Sequence, residues 1–258
     1  MGARRLTTAQ SDRAAGVLLG HACGDALGAS YEFGPSLGDD VMVGIIGGGP
    51  FGWEPGEWTD DTQMAVPILE AAERAQREGA TLLDRLDDVA RAWVSWATTA
   101  PDVGNQTRAV LSSARRAGSV DASLLAAESR RQHERTVHTA GNGSLMRTSP
   151  VALAYLGDDD AIAEVARTVS SLTHWDDDAG DACVLWCHAI SHAVLTGELD
   201  LCRGLLRLPE SRRLLWEARI REAEAGRPLD FPRNDWVVHA FQAAWSAIVT
   251  TPVPQLDP

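Results

Sequence analysis

The residues best suited to chemistry lie in the stretch G-E-W-T-D-D-T-Q-M-A at residues 56–65, where the adjacent carboxylates of Asp60 and Asp61 sit between the hydroxyls of Thr59 and Thr62. Oxygen donors packed so closely in sequence suit Mg2+, a hard ion that takes oxygen ligands and gives up its hydration reluctantly. Helix capping is the plainer alternative: Thr59 at the N-cap would accept from free N–H groups, and acidic residues in the first turn complement the helix dipole. Upstream, Asp25 and Glu32 stand seven residues apart and share a face if a helix continues that far. Downstream, Gly141, Asn142, Gly143, Ser144, Leu145 and Met146 precede Arg147 and an apolar run. Glycines and early amide groups at such a joint can cradle a phosphate at a helix N-terminus. In T-H-W-D-D-D at residues 173–178, His174 and Asp176 fall in the loop before a helix and are site candidates, whereas Asp177 and Asp178 read as its solvated acidic start.

The elements that must carry these residues read as helices. Ser11 can cap a first helix in which Gly16, Gly20, Gly24 and Gly28 recur every four residues, a stripe expected to pack tightly against a neighbour or ligand. Residues 31–58 are dense in Gly and Pro and form a loop too long for a mere connector, as functional loops are. Beyond it, apolar residues recur at helical spacing over about 60–78, 81–98, 103–117, 121–134, 143–156, 159–172, 178–196, 211–225 and 235–249. Pro67 lies inside the first of these, where it removes the N–H that would bond the carbonyl of Gln63, so a kink is expected. Strand signals and solenoid repeats are absent, and Pro252, Pro254 and Pro258 mark a non-helical tail. The reading is an all-α, compact multi-helix bundle.

Composition sets the outer bounds. The net charge of −13 repels polyanions and disfavours nucleic acid as a partner. The chain contains no lysine, which excludes Schiff-base chemistry and a Walker-type phosphate lysine, so phosphate must be held by arginine, backbone N–H groups or a metal. No apolar run reaches membrane-spanning length, and the N-terminal stretch does not read as a signal peptide, so a cytoplasmic protein is expected. Cys23, Cys183, Cys187 and Cys202 are too sparse for a disulfide framework. Zinc binding by Cys183, Cys187, His188, His192 and His174 is disfavoured because the two i,i+4 pairs point in different directions. Among the nine tryptophans, Trp53, Trp58 and Trp175 fall near the candidate residues, and Arg130, Arg131 and Arg135 read as a solvated helix face.

Taken together, G-D-A-L-G-A-S-Y-E (24–32), T-D-D-T-Q-M (59–64), P-D-V-G-N (101–105), G-N-G-S-L-M-R (141–147) and T-H-W-D (173–176) resemble the motifs of the ADP-ribosylglycohydrolase family, over about residues 13–190. The resemblance implies an all-helical fold and a Mg2+-dependent hydrolase that cleaves ADP-ribose from an acceptor, arginine among them, on a protein or a small ADP-ribosyl compound. It implies that Thr59, Asp60 and Asp61 hold one side of a two-Mg2+ site facing the ribose hydroxyls, with Glu32, Asp60 and Asp61 as the catalytic acids. By the same resemblance Asp102 lies near the ribose and leaving group, the loop from Gly141 to Met146 wraps the diphosphate, and His174 contacts the ligand. The family's remaining metal ligands come from a C-terminal D-x-D-T element that does not occur here after Asp200. The expectation is therefore one domain over residues 1–258, shortened at its C-terminus. The competing expectation is a member of the same fold that binds ADP-ribose or a nucleotide without turnover, or serves structurally.

Overall fold

The computed structural model describes residues 5–38, 41–136 and 138–251. Ten α-helices follow one another through these residues: α1 (Thr8–Gly28), α2 (Asp60–Glu78), α3 (Leu86–Trp96), α4 (Asn105–Ala117), α5 (Ala122–Arg135), α6 (Ser149–Ala154), α7 (Asp159–Ser171), α8 (Asp177–Thr196), α9 (Glu210–Ala225) and α10 (Val237–Thr250). No strand forms among the described residues; the β pairing seen there is two single-residue bridges, Gly48 with Trp53 and Gly141 with Trp236. The all-α expectation holds, and no described helix is long and apolar enough to cross a membrane.

The helix α8 is the structural centre, because its sequence is apolar on nearly every side and a helix of that kind must be enclosed. It packs against α7, α6, α10 and α1. Cys183 and Cys187 are fully buried in it, and both ring nitrogens of His188 meet backbone carbonyls, of Val184 and Asp159, so these groups are core residues rather than metal ligands. On the other side α2 packs on α3, α6 and α1. It runs unbroken through Pro67.

Several local expectations are corrected. Thr7, not Ser11, caps α1, in a reciprocal capping box with Gln10. The helix ends at Gly28, so Glu32 lies in the turns that follow instead of continuing the face of Asp25. The stripe Gly16, Gly20, Gly24 and Gly28 points outward, with nothing within 4 Å of where a Cβ would stand. The inner face of α1 is formed instead by Val17, Leu18, Ala22 and Ala26, and Leu19 beside the stripe is 66% exposed. The predicted helix over 143–156 is a 3-10 turn at Asn142–Ser144 followed by the short α6. Asp178 is not a solvated helix start: it pairs with Arg212 and Arg219, while the neighbouring buried Asp181 pairs with Arg167 and Arg212 and accepts from Trp216 Nε1. The proline tail at Pro252, Pro254 and Pro258 lies outside the described residues.

The long loop between α1 and α2 is tied at two points. Tyr31 Oη donates to the carbonyl of Gly44 and accepts from its N–H, and Trp53 is buried beneath the loop. Gly47 is required by geometry: its φ is 68°, and a Cβ there would stand 2.6 Å from the carbonyl oxygen of Trp53.

Candidate active site

The start of α2 is organised by a residue from another helix. Thr59 occupies the N-cap position but makes no capping bond with its side chain. The carboxylate of Asp25, on α1, takes that role, accepting from the N–H groups of Thr59 and Thr62 at 3.0 Å and from the Thr59 hydroxyl at 2.7 Å. A buried helix N-terminus needs such an acceptor, and the Asp25 carboxylate oxygens supply it. Because the Thr59 proton points to Asp25, the oxygen lone pairs remain free to face a cation. Capping and site-building are therefore divided between two residues, and the expectation that Thr59 itself caps α2 is corrected.

Asp60 is 8% exposed, Asp61 is half-buried beside it, and Glu32 stands exposed on the rim. Burial first, then the charges of Asp61, Asp102 and Asp25, push the Asp60 carboxyl up to about 7. Asp61 is likewise pushed up to about 7 by burial and by Asp25 and Glu32, against the lowering effect of the Thr59 hydroxyl. Glu32 also reaches about 7, through partial desolvation and then Asp60, Asp102 and Asp25. Asp102, 8% exposed, is raised by burial and held back by Arg108. Acidic residues from three separate chain segments thus concentrate negative charge in one place, which Arg108 offsets at Asp102. His21, four residues before Asp25 on α1, joins this region with Nδ1 on Ser149 Oγ at 2.9 Å, and burial lowers its pKa.

The all-oxygen donor set and the excess negative charge fit a hard divalent cation. The convergence is incomplete: among the described residues no three His, Cys, Asp or Glu side chains come together as a metal cage. Thr59, Asp60 and Asp61 thus offer oxygen donors of the kind such an ion takes, on one side only.

The second half of the site is the 3-10 turn at Asn142–Ser144. It is pinned to the approach to α10: the Asn142 N–H donates to the Asp235 carbonyl, Asn142 Nδ2 donates to the Asn234 carbonyl, and Val237 N–H donates to the Ala140 carbonyl. Leu145 N–H is the first to bond within the turn, to the Asn142 carbonyl, which leaves the amides of Gly143 and Ser144 as its uncommitted donors. The Ser144 hydroxyl faces the core, accepting from Ser170 Oγ at 2.9 Å, and Leu145 and Met146 pack against the core, so these three serve the turn's shape rather than offering polar side chains. Gly141 and Gly143 lie over the buried His174; a Cβ on Gly143 would stand 3.0 Å from His174 Cε1. The segment after Asp102 closes the arrangement, since Gln106 Nε2 donates to the Thr173 carbonyl. Asp176, in contrast, caps α8 by accepting from the Asp178 N–H and is a structural residue. Trp58 and Trp175 are 45% and 38% exposed, and Trp175 lies under the guanidinium of Arg130.

A family model described as ADP-ribosylglycohydrolase matches residues 6–255. The chain belongs to the ADP-ribosylglycohydrolase family. Among curated members, it is 35% identical over 195 residues to an ADP-ribosylarginine hydrolase Tri1 of Pseudomonas putida, covering 72% of this chain and 47% of that protein. It is 30% identical over 197 residues to the ADP-ribosyl-[dinitrogen reductase] glycohydrolase of Rhodospirillum rubrum, covering 74% of this chain and 61% of that protein. The chain thus spans about half the length of the curated relatives it matches. A solved structure titled "ADP-ribosylglycohydrolase-related protein complex" superposes with a TM-score of 0.63 at 26% identity, over 95% of this chain and 77% of that one.

The sequence reading places Asp25 beside Glu32 and not at the cap of α2, and gives His21, Thr173 and Arg147 no role of their own. Asp25 and His21 had a usable signal, the i,i+4 spacing that puts them on one face of α1 beside α2. Thr173 and Arg147 fall inside T-H-W-D and G-N-G-S-L-M-R, but nothing in those motifs marks the arginine as fully buried.

Proposed function

We propose that the chain is a Mg2+-dependent hydrolase that cleaves the glycosidic bond between ADP-ribose and an acceptor, with ADP-ribosylated arginine on a protein as the first acceptor to test. The observation that carries this reading is the meeting of Asp60, Asp61, Glu32 and Asp102 at the Thr59 end of α2, each carboxyl raised from its ordinary value. The names of the relatives, which act on ADP-ribosylarginine and on ADP-ribosyl-dinitrogen reductase, support the substrate class.

Thr59, Asp60 and Asp61 would hold Mg2+, which when bound supplies the positive charge that fixes ribose hydroxyls and offsets the repulsion within the cluster. Glu32, on the rim with its carboxyl at about 7, is partly ionised at neutral pH and suited to take a proton from an attacking water. Asp102 contributes negative charge opposite the oxocarbenium-like character that develops at the anomeric carbon. The amides of Gly143 and Ser144 supply donors for phosphoryl oxygens, one of the means left to a chain without lysine. Held at both ends, the ribose presents its anomeric carbon in a fixed orientation, which lowers the entropic part of the barrier. The thiols are free, as suits a cytoplasmic protein.

The incomplete cation cage favours a second reading, a member that binds ADP-ribose without turning substrate over. Incubation with an ADP-ribosylated arginine protein, with free ADP-ribose quantified by chromatography, separates the two. Release supports the hydrolase; a folded chain that binds ADP-ribose calorimetrically and releases none from any acceptor supports the binding protein.

A further inference from the structure

The fully buried Arg147 is a cation without a carboxylate at salt-bridge distance among the described residues. It is held by other means. The guanidinium lies 3.9 Å from the centroid of the Trp93 ring, Nη1 meets Met64 Sδ at 3.4 Å, and Trp93 is itself fixed by donating from Nε1 to the Met64 carbonyl at 2.9 Å. Nη2 donates to Thr173 Oγ1, and that hydroxyl lies 2.8 Å from His174 Nδ1. Thr173 is 0% exposed and His174 3% exposed, so the Arg147, Thr173 and His174 Nδ1 end of the chain of groups lies away from bulk water.

The protons in this chain have one consistent arrangement. A guanidinium only donates, so the Thr173 proton cannot point at Arg147. The acceptor left for it is His174 Nδ1. If Nδ1 carried a proton instead, the Thr173 hydroxyl proton would be buried without a partner, a costly state. His174 must therefore be neutral with its proton on Nε2. Burial and the nearby Arg147 charge act in the same direction, holding the imidazole well below its usual range. Nε2 bonds no described protein group and faces the glycine turn: a Cβ built on Gly141 or Gly143 would lie 3.3 or 3.1 Å from it.

We propose that Arg147 and Thr173 are positioning residues which lock His174 in the Nε2–H tautomer, making it a fixed neutral hydrogen-bond donor for a ligand oxygen seated against the Gly141–Gly143 turn. This assignment rests on the ADP-ribose reading for the identity of that oxygen, a phosphoryl or ribose oxygen, but the tautomer is a property of the protein alone. It also sets a limit on His174: a neutral donor held in place orients the ligand and does not exchange protons with it during turnover.

Long-range 1H–15N NMR of the ring nitrogens tests the lock in the ligand-free chain. The wild type should show a protonated Nε2 and an unprotonated Nδ1 at His174. Thr173→Val, which keeps the shape and removes the hydroxyl, should lose this preference, and Thr173→Ser should retain it. With ADP-ribose as the probe, the wild-type Nε2 resonance should shift, and Thr173→Val should weaken binding roughly tenfold, as loss of one hydrogen bond to a charged group does, while Thr173→Ser restores it. A proton on Nδ1 in the wild type, or a Thr173→Val variant with an unchanged tautomer, overturns the proposal. A wild type that shows the Nε2–H tautomer yet binds no ADP-ribose counts against the function proposed above and leaves the lock established.

Discussion

In the variant Asp60→Asn, a carboxyl that the fold holds at about 7 becomes neutral at every pH. An acid whose pKa is higher in the folded than in the unfolded state takes up a proton on folding between the two values, here between an ordinary 3.8 and about 7. Wild-type stability should therefore fall as pH rises through that window and level off above it. The whole rise corresponds to about 4 kcal/mol. Part is returned, because the buried amide of Asn still loses hydration and Arg147 loses the favourable field of Asp60, which leaves a net gain of about 2 kcal/mol for the variant at pH 8. For a chain of this size that is a rise in Tm of about 4–8 °C. Thermal melts in EDTA, followed by circular dichroism from pH 4.5 to 8.5, should show the variant ahead at pH 8 and level with the wild type near pH 4.5. Added Mg2+ should close the gap at pH 8 by stabilising the wild type alone. A variant that is less stable at pH 8, or one whose advantage is the same at both ends of the range, would refute the reasoning that uncompensated charge is stored at this site.

Three other outcomes follow from contacts described above. Asp25→Ala removes the acceptor for the Thr59 and Thr62 N–H groups and should cost about 2 kcal/mol in a melt at pH 5, where the neighbouring raised carboxyls are protonated and capping alone is read; Asp12→Ala on the exposed face of α1 should change stability by less than about 0.5 kcal/mol. Gly20→Ala meets nothing within 4 Å and should stabilise α1 by about 0.5–1 kcal/mol, whereas destabilisation would mean that the glycine face is covered in solution. Gly143→Ala drives a Cβ to 3.0 Å from His174 Cε1, an overpacking that should lower stability by about 1–3 kcal/mol in a melt and weaken ADP-ribose binding in calorimetry while leaving the helical spectrum intact.

Helix content and most helix limits were legible because α2, α4 and α7 carry apolar residues at the period of a helix and because α2, α4 and α8 end at Gly79, Gly118 and Gly197. The pair Asp60–Asp61 was legible as chemistry because acidic residues beside two hydroxyls need a reason. What could not be read from one dimension was which residue serves which need. The cap of α2 comes from Asp25, 34 residues away, which frees the Thr59 side chain from capping, and no local pattern encodes that exchange. The glycine stripe of α1 was misread because small residues at every fourth position permit close packing without requiring it, and here the packed face is the adjacent one. Asp178 looked solvated because its partners Arg212 and Arg219 arrive from α9. The burial of Arg147 is hidden for the converse reason: arginine is a surface residue by default, and here the Trp93 face, Met64 Sδ and the Thr173 hydroxyl make its burial tolerable.

The most direct test of the central claim is the release of free ADP-ribose from an ADP-ribosyl-arginine protein, with Mg2+ and with EDTA, by the wild type and by the Asp60→Asn/Asp61→Asn double variant. The account predicts release by the wild type that depends on Mg2+ and is lost in the folded double variant. Release that is indifferent to EDTA, or equal in the two proteins, would contradict it by showing that the acidic cluster at the start of α2 is not the seat of the chemistry.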